Sequence, residues 1–213
     1  MTRRIILITG GQRSGKSRHA EELALSLSAR PVYVATAHVW DEEFRQRVLL
    51  HQQRRGPQWT NIEEECRLGQ LDLTGRVAVV DCVTLWLTNL FYAQGGGTGA
   101  DGDALPDVEQ VLSRAKDEFC RFTAHEATYI FVTNELGSGG VSTNALQRRF
   151  TDLQGWMNQY IASQADEVVL MVSGIAVKIK GEYTGVRREY KDDSPAPPKP
   201  CSKGISREKG IVL

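Results

Sequence analysis

Gly10-Gly11-Gln12-Arg13-Ser14-Gly15-Lys16-Ser17 matches the pattern G-x-x-x-x-G-K-[ST] at every defined position. The stretch reads as a cradle for a triphosphate. Side chains would hold phosphates away from backbone N–H groups, so glycines stand where the loop must wrap a polyphosphate. The first turn of a following helix adds its own unpaired N–H groups and its dipole. Lys16 is placed to reach the β- and γ-phosphates, and Ser17 to set its hydroxyl on Mg²⁺. The flanks fit. Arg4-Ile5-Ile6-Leu7-Ile8-Thr9 is a short β-branched apolar run ahead of the loop, and Ser17 to Ala29 carries Leu23, Ala24 and Leu27 at helical spacing behind it.

Working outward, Pro31-Val32-Tyr33-Val34-Ala35-Thr36-Ala37 is a second apolar run whose end should lie beside the loop, because parallel sheets bind ligands at the carboxyl ends of their strands. Asp41 to Arg55 has helical composition, with acids at its start and arginines at its finish, and Gly56-Pro57 stops it. Val77-Ala78-Val79-Val80-Asp81-Cys82 is a third buried strand closing with an acid. Asp81 is the candidate for the Mg²⁺ shell; capping the helix that begins near Thr84 is the other reading, and the two are compatible.

Thr84 to Gln94 reads as an apolar helix, and Gly95 to Gly102 as a mobile surface loop. Pro106 to Glu126 has helical periodicity through Val108, Val111, Leu112, Ala115 and Phe119. Tyr129 to Thr133 is a fourth strand, ending at Asn134-Glu135 and the turn Gly137-Ser138-Gly139-Gly140. A helix over Thr143 to Ala165 comes next, and Glu167 to Ile179 carries the last strand, interrupted at Gly174. Strands alternating with helices predict an α/β, P-loop NTPase-like single domain over residues 1–180, its mainly parallel sheet covered by helices on both faces. Beyond, Ser194-Pro195-Ala196-Pro197-Pro198-Lys199-Pro200 suits neither a helix nor a central strand, so 181–213 reads as a charged, proline-rich, mobile tail.

Lys plus Arg equals Asp plus Glu at 26 each, so no global field draws the chain to nucleic acid or to an anionic membrane. Arg3 and Arg4 lead straight into a strand rather than a signal sequence, and no apolar run reaches the length of a membrane span, which predicts a cytoplasmic protein. Cys66, Cys82, Cys120 and Cys201 are scattered, without a disulfide framework or zinc spacing; Cys82 is expected to be buried at a strand end.

Arg45, Arg47, Arg54 and Arg55 surround His51, and cations around an imidazole suit a site that handles phosphates. A neutral imidazole can attack phosphorus and split a nucleotidyl transfer into two steps. The alternative is a solvated basic helix face with His51 packed beside Phe44 and Val48. His19, His38 and His125 have no comparable surroundings.

Several motifs in order then carry a resemblance. Gly10-Gly11-x-Arg13-Ser14-Gly15-Lys16-Ser17-Arg18-x-Ala20-Glu21, Ala35-Thr36-Ala37, Asp41-x-Glu43, Arg47-x-x-x-His51-x-x-x-Arg55 and Trp59-x-x-x-Glu63 are similar to the bifunctional adenosylcobinamide kinase/adenosylcobinamide-phosphate guanylyltransferases of cobalamin biosynthesis. So are Asp81 to Leu90, Val132-Thr133-Asn134-Glu135-x-Gly137-x-Gly139, and Val172-Ser173-Gly174-Ile175-x-Val177-Lys178-Ile179-Lys180, so the match spans residues 4–180.

The resemblance implies a kinase that phosphorylates adenosylcobinamide with ATP or GTP and then transfers GMP from GTP to that phosphate, the guanylyl group riding on His51. It further implies that Gly10, Gly11, Gln12, Arg13, Ser14, Gly15, Lys16 and Ser17, with Ala35, Thr36, Ala37, Gln52, Gln53, Arg54, Arg55, Glu63 and Asp81, line the guanine nucleotide site, and that the protein is a homotrimer with sites between subunits. Two departures stand out. Gly140-Val141-Ser142 replaces an isoleucine-valine-proline common in the family, and Asn61 replaces a threonine. A P-loop small-molecule kinase without guanylyl transfer, and a non-catalytic nucleotide-binding subunit, are the competing expectations. The first forms no covalent nucleotidyl enzyme and the second does not turn over.

Overall fold

The apolar runs become strands because β-branched residues fit a pleated surface buried on both sides. The computed structural model describes residues 2–38, 55–94 and 106–181. Seven strands form one sheet: β1 Arg4–Gly10, β2 Val32–Ala35, β3 Thr60–Glu63, β4 Val77–Asp81, β5 Thr128–Val132, β6 Glu167–Val172 and β7 Ile175–Lys180. Their spatial order is β3-β2-β4-β5-β1-β6-β7, and only the β6–β7 pair is antiparallel. Among the described residues four α-helices accompany it: α1 Lys16–Leu27, α2 Val83–Ala93, α3 Val108–Phe122 and α4 Ala145–Gln164.

Side chains alternate across each strand and so feed two cores. Ile6 and Ile8 of β1, Val77 and Val79 of β4, and Ile130 and Val132 of β5 pack with Ala20 and Ala24 of α1. Ile5, Leu7, Val80 and Phe131 face the other way, onto Trp86 of α2, Phe119 of α3 and Met157 of α4. Leu27, expected on the buried stripe of α1, is instead exposed; the small Ala20 and Ala24 face the sheet, where they allow the helix to lie close. On α3 the expected stripe holds through Val111, Ala115 and Phe119, and the Asp107 carboxylate caps the helix by accepting from the Glu109 and Gln110 N–H groups at 3.0 and 3.2 Å.

One unassigned segment takes a structure, and two expectations are corrected. Thr60–Glu63 is a strand although only Ile62 among its residues is apolar: it is an edge strand paired to β2 on one side, so it needs no apolar run. The last expected strand is two, because Ser173 and Gly174, at φ 50° and 83°, reverse the chain into a hairpin between β6 and β7. A sheet covered on both faces leads one to expect strands apolar on both faces, and this fails at β3 and β7, the two sheet edges. The helix expected over 41–55 (apart from Arg55), the loop at 95–102 and the tail beyond 181 lie outside the described residues.

The ends of β2 and β4 are stitched by a buried hydroxyl. Thr36 Oγ1 donates to the Cys82 carbonyl and accepts from the Cys82 N–H, both at 2.8 Å, while the Thr36 carbonyl accepts from Asn89 Nδ2 of α2 at 2.8 Å. Thr36→Val keeps the shape but orphans two buried backbone groups, so it should cost about 1–3 kcal/mol for each. Thr36→Ser keeps the hydroxyl and should cost about 1 kcal/mol. Equal urea midpoints for the two variants would refute the stitch. In the larger core Phe131 is fully buried, its ring centroid 5.1 Å from that of Phe119. Phe131→Ala should therefore lose roughly 3–5 kcal/mol and lower the melting temperature by on the order of 10 °C, read by calorimetry.

Candidate active site

β5 lies between β4 and β1, so the strand-end acid and the glycine loop are two strands, about 10 Å, apart. Register fixes their relation. Ala35, Asp81, Val132 and Ile8 are successive partners across β2, β4, β5 and β1, and Gly10 ends β1 two residues on. The segments that leave these strand ends therefore rise on one edge of the sheet, around a cavity of about 560 Å³.

The loop is held from both sides. The Gly10 carbonyl accepts from the Glu135 N–H after β5 at 3.1 Å, and the Ser14 carbonyl accepts from the Gly174 N–H of the hairpin at 3.0 Å. Gly10 has φ 148°, and a Cβ there would stand 2.4 Å from the Met171 carbonyl oxygen of β6. Only glycine lets β1 end flush against β6. Gly15 opens α1 in a left-handed conformation and supplies no side-chain cap, so the first N–H groups of α1 point at the cavity. The Ser14 hydroxyl oxygen is buried without a hydrogen-bond partner among the described residues. Bare N–H groups and an orphaned hydroxyl together suit a polyphosphate.

Lys16 is only 7% exposed, and its Nζ donates to the Gly11 carbonyl at 2.6 Å. Burial pulls its pKa below the ordinary lysine value, against the attraction of the Asp81 carboxylate. Opposite, Asp81 Oδ2 accepts from the Tyr33 hydroxyl at 2.8 Å. Asp81 is not the cap of α2; that position is taken by Cys82, joined to it by a cis peptide. Burial, then the neighbouring Asp81, pushes the Cys82 thiol up to about 12, so this cavity cysteine stays protonated and is no nucleophile. Burial, with Asp81 adding to it, likewise raises the Tyr33 hydroxyl well above the ordinary value and keeps it a donor.

Of the expected site residues, Gln12, Arg13, Ser14, Gly15, Lys16, Ser17, Ala35, Ala37, Arg55 and Asp81 meet around this cavity. Gly10 and Gly11 shape the loop from behind. Thr36 is fully buried, its hydroxyl engaged by Cys82. Glu63 ends the exposed edge strand β3 as the register partner of Ala35, and its side chain is not among the described ones that line the cavity. His51, Gln52, Gln53 and Arg54 lie outside the described residues. Arg55 stands over the Tyr33 ring with its Cζ 3.5 Å from the centroid, and its Nη1 is 3.7 Å from Glu21 Oε1 of α1. Among the described residues no group of three or more His, Cys, Asp or Glu side chains could hold a metal by itself. A cation here would be shared between Asp81, Ser17 and a bound phosphate, the usual arrangement for Mg²⁺.

Tyr33 and Asn134, which also line the cavity, were not among the expected residues. Tyr33 had a signal: it lies two residues before Ala35 on the same strand and so shares its face. Asn134 had only its place at the carboxyl end of a strand; that it meets the glycine loop depends on β5 lying beside β1.

The profile of the family described as "Cobinamide kinase / cobinamide phosphate guanyltransferase" matches residues 6–179. The chain is 39% identical over 181 residues to the "Bifunctional adenosylcobalamin biosynthesis protein CobU" of Escherichia coli strain K12, covering 83% of this chain and 99% of that one. It is 40% identical over 187 residues to the protein of the same description from Salmonella typhimurium, with the same two coverages. To the "Bifunctional adenosylcobalamin biosynthesis protein CobP" of Pseudomonas aeruginosa it is 37% identical over 180 residues, covering 83% of this chain and 97% of that one. A strand-loop-helix phosphate cradle, an acid on the next-but-one strand and these matches over nearly the whole described body place the chain in the cobinamide kinase/cobinamide phosphate guanyltransferase family.

Proposed function

We propose that this protein phosphorylates adenosylcobinamide with ATP or GTP and then transfers GMP from GTP to the resulting phosphate, through a guanylyl group carried on His51. The observation that carries the reading is the convergence, in one cavity, of the glycine loop, Lys16, Asp81 and Arg55, within a chain whose family has both activities in its description. In the first step the substrate hydroxyl attacks the γ-phosphorus and the nucleoside diphosphate leaves. Lys16 and the N–H groups at the start of α1 stabilise charge on the transferring oxygens. Ser17 and Asp81 fit a Mg²⁺ ion, which would neutralise charge on the phosphates.

In the second step a neutral His51 nitrogen attacks the α-phosphorus of GTP and pyrophosphate leaves. An oxygen of adenosylcobinamide phosphate then attacks the same phosphorus, the N–P bond breaks and the imidazole is restored. Cys82 does not compete for this role, because its thiol stays protonated.

A homotrimer belongs to the same proposal. It is supported by an exposed apolar face on the sheet edge: Ile175, Val177 and Ile179 alternate along β7, and Val172 of β6 pairs with Ile175. Contiguous apolar surface of this kind marks protein contacts. A cytoplasmic location accords with the absence, among the described residues, of a helix long and apolar enough to cross a membrane.

The test is labelling. Wild-type protein with Mg²⁺ should take label from α-labelled but not γ-labelled GTP, acid should release it because protonated nitrogen is a good leaving group, and adenosylcobinamide phosphate should discharge it into product. His51→Ala should take no label while still binding GTP; a labelled His51→Ala protein would show that the nucleophile is another residue. Lys16→Ala should lower both activities by about 10²–10³-fold, the cost of removing one donor to the transition state. Full kinase activity in that variant would separate the two reactions into different sites.

A further inference from the structure

Tyr33 takes no part in the bond-making of either reaction, yet it is the most constrained side chain of the cavity. Its hydroxyl donates to Asp81 Oδ2 at 2.8 Å. One face of its ring carries the Arg55 guanidinium, 3.5 Å from the centroid. Trp59 meets the ring edge-on, with centroids 6.0 Å apart and planes at 82°. The guanidinium is itself held, by Glu21 Oε1 at 3.7 Å and by Nε donating to Asn61 Oδ1 at 3.0 Å, and the Arg55 side chain is only 3% exposed.

These contacts divide into two tasks. With Oδ2 committed to Tyr33, the Asp81 carboxylate cannot turn freely about Cβ–Cγ, and Oδ1 is the oxygen left to meet a cation. A buried guanidinium stacked on an aromatic face keeps its charge while giving up water, because the ring's negative face partly replaces the lost hydration. The cation therefore stays at the cavity wall. Asn61, where the family commonly has threonine, adds an amide oxygen that accepts from the same guanidinium.

We propose that Tyr33 is the positioning residue of this site: its hydroxyl aims the Asp81 carboxylate at the metal position, and its ring face holds the Arg55 guanidinium against the phosphate cavity. The proposal rests on the assignment of Asp81 to Mg²⁺ and of Arg55 to the nucleotide. It assigns the two tasks to separable parts of one side chain, since Tyr33→Phe removes only the hydroxyl and Tyr33→Leu removes both hydroxyl and face.

The experiment uses the full chain, Mn²⁺ as the paramagnetic probe and a non-hydrolysable GTP analogue. Mn²⁺ binding in the presence of the analogue is read by electron paramagnetic resonance, and metal-free analogue binding by calorimetry. Tyr33→Phe should weaken Mn²⁺ binding about tenfold, as expected for losing a hydrogen bond to a charged group, and leave metal-free analogue binding unchanged. Tyr33→Leu should show the same Mn²⁺ loss together with a roughly tenfold weaker metal-free binding, from the loosened guanidinium.

Wild-type Mn²⁺ binding in Tyr33→Phe, alongside its loss in Asp81→Asn, would overturn the proposal alone. Wild-type Mn²⁺ binding in Asp81→Asn would overturn the metal assignment and the proposal with it. Metal-free binding equal in Tyr33→Leu and Tyr33→Phe would overturn the role of the ring face. Should Tyr33→Leu fail to fold, Arg55→Lys, which keeps the charge and loses the planar stack, takes its place: it should lose about tenfold in metal-free binding and keep Mn²⁺ binding, since Tyr33 retains its hydroxyl, and wild-type metal-free binding would overturn the role of the ring face.

Discussion

The site depends on how closely β1 can lie against β6 where it turns into the phosphate loop. With a Cβ position 2.4 Å from the Met171 carbonyl oxygen, residue 10 admits only glycine, and from that point the loop is fixed by backbone bonds to Glu135 on one side and Gly174 on the other. Neither anchor uses a side chain. The loop's own side chains are thereby left for chemistry, and the start of α1 faces the cavity with uncapped N–H groups.

Electrostatics in the cavity are set by burial. A lysine drawn out of water is costly to keep charged, and it is held by a carbonyl of its own loop and by the field of Asp81. The same burial silences two further groups that line the cavity: the Cys82 thiol and the Tyr33 hydroxyl both stay protonated. The result is a cavity sized for a nucleotide in which a lysine, a carboxylate and arginines share the wall with the apolar Ala35, Ala37, Leu85 and Val132.

A second polar system supports the floor. Thr133 Oγ1 donates to Asn158 Oδ1 at 2.7 Å and accepts from Gln154 Nε2 at 2.8 Å, both side chains coming from the buried face of α4. The next residue, Asn134, has its backbone N–H donating to Thr84 Oγ1 and its carbonyl accepting from Asn158 Nδ2, each at 3.1 Å. Polar residues on the inner face of a helix would destabilise an apolar core; here the Gln154 and Asn158 amides are bonded to each other and to Thr133 and Asn134, although Gln154 Oε1 has no partner among the described residues, and together they fix the end of β5 between the loop and Asp81. Thr36 does the same for the end of β2 through Cys82. The carboxyl ends of the central strands are thus pinned by side-chain hydroxyls and amides, where a parallel sheet runs out of ladder partners.

Local chemistry is what the sequence by itself determined. The glycine pattern, the β-branched run before it and the alanine-bearing helix behind it specify strand, loop and helix from nearest-neighbour constraints. The alternation of apolar runs with periodic segments specifies a covered, mainly parallel sheet. The strand-end position of Asp81 and the packed stripe of α3 were legible for the same reason. Strand order was not, because it is set by which faces pack together rather than by any local pattern. Only the tertiary structure decided that β5 is inserted between β4 and β1, bringing Asn134 into the cavity, and that the largely polar Thr60–Glu63 segment becomes an edge strand beside β2. It also decided that Thr36 spends its hydroxyl on Cys82 and that Tyr33 joins Asp81 to Arg55, contacts between residues 46, 48 and 22 positions apart in the chain, which no reading of neighbours can supply.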